Sequence, residues 1–277
     1  MMTKLALFGA GGKMGIRLTR NLLNSDFDVK YVEVSEAGRL RAKETHGVDC
    51  VTPDEALNDA EVIVLAVPDT AIGAVSRSII DKVRPGTMIV CLDAAAPFAD
   101  HLPERADVTY FVTHPCHPPI FNDEETREGR ADHFGGIAAQ QGVVNALMQG
   151  PEEHYALGEK VAVTIFAPVA RSHRVTVEQM AYLEPGLSET VCASLLVVMR
   201  EAMDEVIKTG VSYDCARDFL LGHMNILGAV IFDEVKGGQF SDACNKAIEF
   251  GKPMLMRDDW KRVFEFDEIK ASIKRIT

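Results

Sequence analysis

The chain has 277 residues and a formal net charge of −12 at pH 7, with 47% hydrophobic and 25% charged residues. That length allows a sizeable core and two domains, and the composition is ordinary for a water-soluble globular protein. The acidic balance argues against nucleic acid or an anionic membrane surface as partner, because both select basic surfaces.

No apolar run reaches the ~18 residues of a membrane span, and no basic-then-apolar leader is evident. Six cysteines without a CxxC pair read as reduced thiols. The expected location is the cytoplasm.

In chain order, residues 5–8 form an apolar strand that runs into Gly9, Gly11, Gly12 and Gly15, and residues 16–24 follow as a helix. A dinucleotide pyrophosphate needs this layout, since small residues admit the backbone to the phosphates and a helix N-terminus offers free N–H groups. The glycines at 9, 12 and 15 follow GxxGxxG instead of GxGxxG, and the loop ends in Lys13-Met14-Gly15. Further strands are expected at 29–34, 62–67, 88–92 and 109–113, with a helix at 71–82 and an Arg84-Pro85-Gly86 turn. Strands separated by helical patterns predict a doubly wound parallel sheet, a Rossmann domain.

Glu33 ends the second strand, where a carboxylate accepts hydrogen bonds from ribose hydroxyls and repels a 2′-phosphate. The expected cofactor is therefore NAD, with Arg39 and Arg41 close enough to keep NADP as the alternative. Pro68, in the LAVPD segment closing the third strand, is expected to shape the wall beside the nicotinamide.

Directly after residues 109–113 comes His114-Pro115-Cys116-His117-Pro118-Pro119. Prolines stiffen the segment, and strand ends at this edge face the cofactor. Three chemistries compete here. One is a divalent metal on His114 or His117, another a histidine general base, and the third a Cys116 thiolate nucleophile.

Residues 122–136 read as a loop or crossover, residues 143–148 as another strand and possible sheet end, and Pro151 as a helix start. The rest is helical. Ser188 is expected to cap a helix to about residue 208 that Gly210 stops, and Ser212 opens a second to about 233. Gly237-Gly238 breaks that helix, and shorter ones follow at 241–249 and 267–275. The expected division is an NAD-binding domain at 1–150 and a helical substrate-binding and dimerisation domain at 151–277. Apolar residues on several faces at 195–199 and 227–232 predict a homodimer interface.

Carboxylate partners for the histidines are expected from Glu184, at a Pro-Gly break, and Glu189, in the following helix's first turn. Their ordinary roles would be loop solvation and a favourable charge at a helix N-terminus. His223 and Asn225, polar groups in an apolar helix, are candidate substrate contacts.

With these residues assembled, the chain resembles two-domain enzymes related to 6-phosphogluconate and 3-hydroxyacid dehydrogenases. Within that group, THPCHPPIFNDE, LEPGLSET and LLGHMNILG look most like the D-apionate oxidoisomerase family. The resemblance implies an enzyme that uses NAD and a divalent metal (zinc or magnesium) to oxidise a branched sugar acid, D-apionate. The carboxyl-bearing carbon then migrates, giving 3-oxo-isoapionate. It implies NAD on Gly12, Lys13, Met14 and Glu33, and the metal on His114 and Glu184. The lysine-containing helix signature of 3-hydroxyacid dehydrogenases is not evident at 188–209, which favours metal assistance over lysine catalysis.

A cation would polarise the new ketone and lower the pKa of the neighbouring hydroxyl. Two alternatives stand beside this expectation. One is a hydroxyacid dehydrogenase without rearrangement, and the other is a non-catalytic NAD(H)-sensing protein.

Overall fold

A computed structural model describes residues 2–276. The elements are β1 (Thr3–Phe8), α1 (Lys13–Leu22), β2 (Phe27–Val32), α2 (Glu36–His46), β3 (Cys50–Val51), α3 (Pro53–Leu57), β4 (Val62–Leu65), α4 (Asp69–Ile79), β5 (Met88–Cys91) and α5 (Ala95–Phe98). They continue with β6 (Thr109–Pro115), α6 (Arg127–Ala131), β7 (Gln141–Gln149), α7 (Tyr155–Ile165), β8 (Val169–Arg174), α8 (Val177–Ala181), α9 (Ser194–Lys208), α10 (Tyr213–Ile231), α11 (Asp242–Leu255) and α12 (Phe266–Ile276).

The eight strands form one sheet in the order β3-β2-β1-β4-β5-β6-β7-β8. All neighbours are parallel except β6 and β7. Strands β4 and β5, VIVL and MIVC, are buried at every position, as strands covered on both faces must be. Period-two alternation divides their side chains. Ala6, Phe8, Ile63, Leu65, Ile89 and Cys91 face one core, with Ala56, Ile72, Ile79 and Met180 from α3, α4 and α8. Leu5, Leu7, Val62, Val64, Met88 and Val90 face the other, with Leu18, Leu22, Ala42, Val161 and Ile165 from α1, α2 and α7. Helices on both faces make the sheet doubly wound.

The strand at 143–148 is present as β7 but does not end the sheet, because β8 pairs parallel to it. The sequence VARSHR hides β8, an edge strand with exposed and half-buried side chains and no apolar run. The first compact unit accordingly extends to Leu183 and takes up residues 270–276, so the boundary expected at 150 lies at 183.

The second unit is Glu184–Ile269. Its N-terminal helix does not begin at Ser188. After α8 the backbone runs through a π-helical stretch, Tyr182–Ala193, straight into α9. Ser188 and Glu189 therefore sit inside a helix, not at a cap or in a first turn. Pro185 and Gly186 are accommodated where the ladder widens, and the Thr190 hydroxyl donates to Pro185 O at 2.6 Å. Ser212 caps α10 as expected, accepting from Cys215 N.

Buried residues in this unit are Pro185, Gly186, Met203, Ala216, Ala229 and Ile269. Large apolar side chains such as Phe219, Ile231, Phe232 and Phe250 are exposed. Among the described residues, no helix is long and apolar enough to cross a membrane.

Candidate functional site

The glycine loop sits at the carboxyl edge of β1. Gly9 takes φ +82°, a conformation that penalises side chains, and a Cβ there would overlap Ala66 O. A Cβ on Gly15 would overlap Gly9 O, so α1 packs onto the loop only because Gly15 is bare. Gly12 is the N-cap of α1 and makes no side-chain cap bond. The first-turn N–H groups of Lys13, Met14 and Gly15 have no carbonyl partner within the helix, which suits an anion.

Glu33, 8% exposed, follows β2 and braces this loop. Its Oε2 accepts from Gly11 N at 3.1 Å, and its Oε1 accepts from Ser35 N at 2.9 Å and Ser35 Oγ at 3.1 Å. Arg39 donates to Glu33 O at 2.6 Å and Arg41 donates to Gly11 O, so both arginines are tied to backbone carbonyls. A cavity of about 520 Å³ opens beside the loop, lined among others by Gly9, Gly12, Glu33, Val34 and Pro68. Pro68 forms the N-cap of α4. A cradle of bare glycines, open N–H groups and a strand-end carboxylate around such a cavity fits a dinucleotide.

Further along the same edge, β6 carries His114, and β5 is followed by Leu92 and Asp93. His114 Nδ1 lies 3.0 Å from Leu92 O and 3.8 Å from Asp93 Oδ2. A carbonyl only accepts, so Nδ1 holds the proton and Nε2 presents its lone pair, the tautomer used by a metal-ligating histidine. Burial holds the imidazole below its usual range, against the opposing pull of Asp93. The Asp93 carboxylate is itself fixed, its Oδ1 accepting from Ala95 N at 2.5 Å. An oriented imidazole and a carboxylate at one strand edge fit a divalent cation.

The Cys116 side chain rests against Gly142 of β7, and burial pushes its thiol pKa up. A nucleophilic thiolate needs the opposite shift, so the third chemistry loses support. His117 stands at φ +61° with Nδ1 2.8 Å from Phe134 O. Its ring lies 4.8 Å from the Phe134 ring and 6.0 Å from His114, perpendicular to the latter.

Phe134 carries Arg17 at 4.1 Å and Lys13 at 5.6 Å from its ring centroid. Its loop is tied to α1 by Arg17 donating to Gly135 O at 2.9 Å and Asn21 donating to Gly136 O at 3.3 Å. Buried Asp132 organises the turn by accepting from Gly135, Ile137, Ala138 and Ala139 N.

Glu184 is half-buried and follows immediately on Leu183, the last residue of the first unit's long segment. Glu189 is exposed in the π-helical stretch. His223 and Asn225 are exposed on α10, where His223 stacks on Phe219 at 4.1 Å and its Nδ1 lies 2.7 Å from Phe219 O.

Sequence reasoning missed Asp93, Asp132 and Phe134. A carboxylate two residues beyond a buried strand at the ligand edge could have exposed Asp93. Nothing local marks the other two.

Comparison with known proteins agrees with this layout. Residues 4–96 match the family model "NADP oxidoreductase coenzyme F420-dependent", and residues 122–277 match "Phosphogluconate dehydrogenase (decarboxylating) C-term". A D-apionate oxidoisomerase of Rhizobium rhizogenes is 71% identical over 276 residues, covering 100% of both chains. The chain belongs to the D-apionate oxidoisomerase family. Another family member, from Cupriavidus necator, is 64% identical over 277 residues and all of both chains. A crystal structure described as a semialdehyde dehydrogenase NAD-binding protein from Cupriavidus necator, in complex with calcium and NAD, superposes with a TM-score of 0.98. It is 64% identical and covers 100% of both chains.

Proposed function

We propose that the chain is an NAD- and divalent-metal-dependent oxidoisomerase that oxidises D-apionate and shifts its carboxyl-bearing carbon to give 3-oxo-isoapionate. The observation that carries this reading is His114, fixed by Leu92 O beside Asp93 so that Nε2 is offered as a ligand. Glu184, the half-buried carboxylate that opens the second unit, is the further ligand that the family resemblance implies.

When bound, the cation supplies Lewis acidity to a ketone and its neighbouring hydroxyl. The residues of the chain do the rest. Gly9, Gly12, Lys13, Met14 and Gly15 seat the pyrophosphate, Glu33 meets the adenosine ribose, and Pro68 bounds the cofactor cavity. Asp93 and Leu92 O hold the His114 ring in one orientation. Glu189, His223 and Asn225 are kept as candidate substrate contacts.

Incubation with NAD and D-apionate, with and without a chelator, tests this. NADH is followed by absorbance and the product is identified by NMR. The expected result is chelator-sensitive NADH formation with a rearranged product. Chelator-insensitive oxidation to an unrearranged ketone would instead identify a plain hydroxyacid dehydrogenase. Tight NADH binding without turnover of any sugar acid would identify a sensor.

We also read the exposed apolar surface of the second unit as the face of a homodimer. An apolar groove of about 530 Å³, lined by Met199, Met203, Val206, Phe219, Leu220 and His223 among others, runs between α9 and α10. A second copy would cover it, whereas a monomer exposing such a surface would aggregate. Sedimentation equilibrium should return twice the chain mass, and a monomer would overturn this. The cytoplasm remains the location expected for an acidic protein with unpaired cysteines.

A further inference from the structure

His117 is over-specified for a purely structural tie. Its Nδ1 donates to Phe134 O at 2.8 Å, and that bond needs only a donor at the δ position. Asparagine has such a donor and is at ease in the left-handed region, where His117 sits at φ +61°. Histidine adds an acceptor at a position asparagine cannot reach, Nε2, whose lone pair is fixed by the proton on Nδ1.

The ring is also held firmly. It packs 4.8 Å from Phe134, which itself lies under Arg17 and near Lys13, and the Phe134 loop is pinned by Asp132 and Asn21. The ring so fixed stands 6.0 Å from His114, the proposed ligand.

We propose that His117 is a substrate-positioning residue whose Nε2 accepts a hydrogen bond from a branch hydroxyl of the polyhydroxy acid. This rests on the oxidoisomerase reading above and adds to it a determinant of substrate choice. A branched sugar acid has more hydroxyls than one cation and one oxidation use. Holding a branch hydroxyl fixes rotation about the bond to the tertiary carbon, and so fixes which group lies in line to migrate. An acid without that hydroxyl leaves Nε2 without its partner and is discriminated against.

The test uses the full-length protein, H117N, H117Q, D-apionate and an analogue lacking one branch hydroxyl. H117N keeps the δ donor and tolerates the backbone, but has no acceptor at the ε position. H117Q places an amide oxygen where Nε2 was. In the wild type the analogue should lose about tenfold in kcat/KM, the worth of one hydrogen bond at a polar site.

H117N should lose about tenfold on D-apionate and show no further loss on the analogue. H117Q should recover part of the activity, and the fraction of unrearranged ketone should rise in H117N. NADH and cation affinities, titrated directly, should stay within about threefold of wild type, since neither ligand set includes His117.

Full activity of H117N on D-apionate would overturn the proposal. So would an analogue penalty that persists in H117N, the signature of a structural role alone. If H117N loses its NADH affinity through misfolding, H117Q carries the comparison. It should keep NADH affinity and part of the preference for D-apionate over the analogue. An H117Q that binds NADH normally yet has no preference between the two would overturn the proposal too. Absence of D-apionate oxidation by the wild type refutes the activity itself, an outcome separable from all of these.

Discussion

Replacing Asp132 by asparagine should destabilise the loop that seats His117, and by an amount the geometry sets. Asp132 is 7% exposed and takes four backbone N–H groups. Gly135 N lies 3.0 Å from Oδ1, and Ile137, Ala138 and Ala139 N lie 3.0, 2.9 and 3.2 Å from Oδ2. Burial opposes the charge, but these donors outweigh it and hold the carboxyl below its usual range.

In the asparagine variant one oxygen can still serve three donors, at a loss of charge assistance of roughly 0.5–1 kcal/mol each. The amide nitrogen then faces Gly135 N, donor against donor, for about 1–3 kcal/mol more. The sum is about 2.5–6 kcal/mol, which at roughly 2–4 °C per kcal/mol predicts a Tm at least ~5 °C lower. Calorimetry reads that shift, and hydrogen exchange should show faster exchange of the amides of residues 135–139.

Asp132's stabilisation should be present above the unfolded carboxyl pKa of about 3.9 and lost as pH falls through its lower folded value. The variant should lack that acid-limb dependence. An unchanged Tm together with unchanged exchange at 135–139 would refute the reasoning.

Three further outcomes follow from the same structure. Gly15→Ala should weaken NADH binding at least about tenfold in fluorescence titration, because a Cβ would overlap Gly9 O; affinity equal to wild type would contradict the close approach. Burial pushes the Tyr31 and Tyr110 phenols up to about 12, so an ultraviolet titration should show both ionising well after exposed tyrosines. Their contribution is present below the unfolded pKa of about 10 and lost as pH rises toward 12, so alkaline unfolding should set in over that window. Burial likewise pushes the Cys91 thiol up to about 12, and in the native protein it should resist alkylation long after exposed Cys192 has reacted.

The fold of the first unit was legible because two-sided burial leaves a mark in one dimension. The cores of β1, β4 and β5 are short apolar runs, and glycines punctuate the first turn. β8 left no such mark, since an edge strand needs few apolar side chains. The π-helical stretch was read as a break because Pro185-Gly186 is locally a helix breaker, and only the wider hydrogen-bond ladder accommodates it. His114 stood out through its unusual neighbours. Asp93 did not, because an aspartate in Leu-Asp-Ala is unremarkable until β5 and β6 are known to be adjacent. Phe134 and Asp132 act through a loop closed by backbone bonds, which sequence periodicity cannot register.

The two compact units differ in autonomy. The first has a sheet with an apolar interior on each face and can offset the entropy of ordering its chain. The second, with so few buried side chains among long helices, has almost nothing of its own to set against that cost. Cut out and expressed by itself, the segment 184–269 should stay a fluctuating helical ensemble, so it is not a module that could be moved elsewhere.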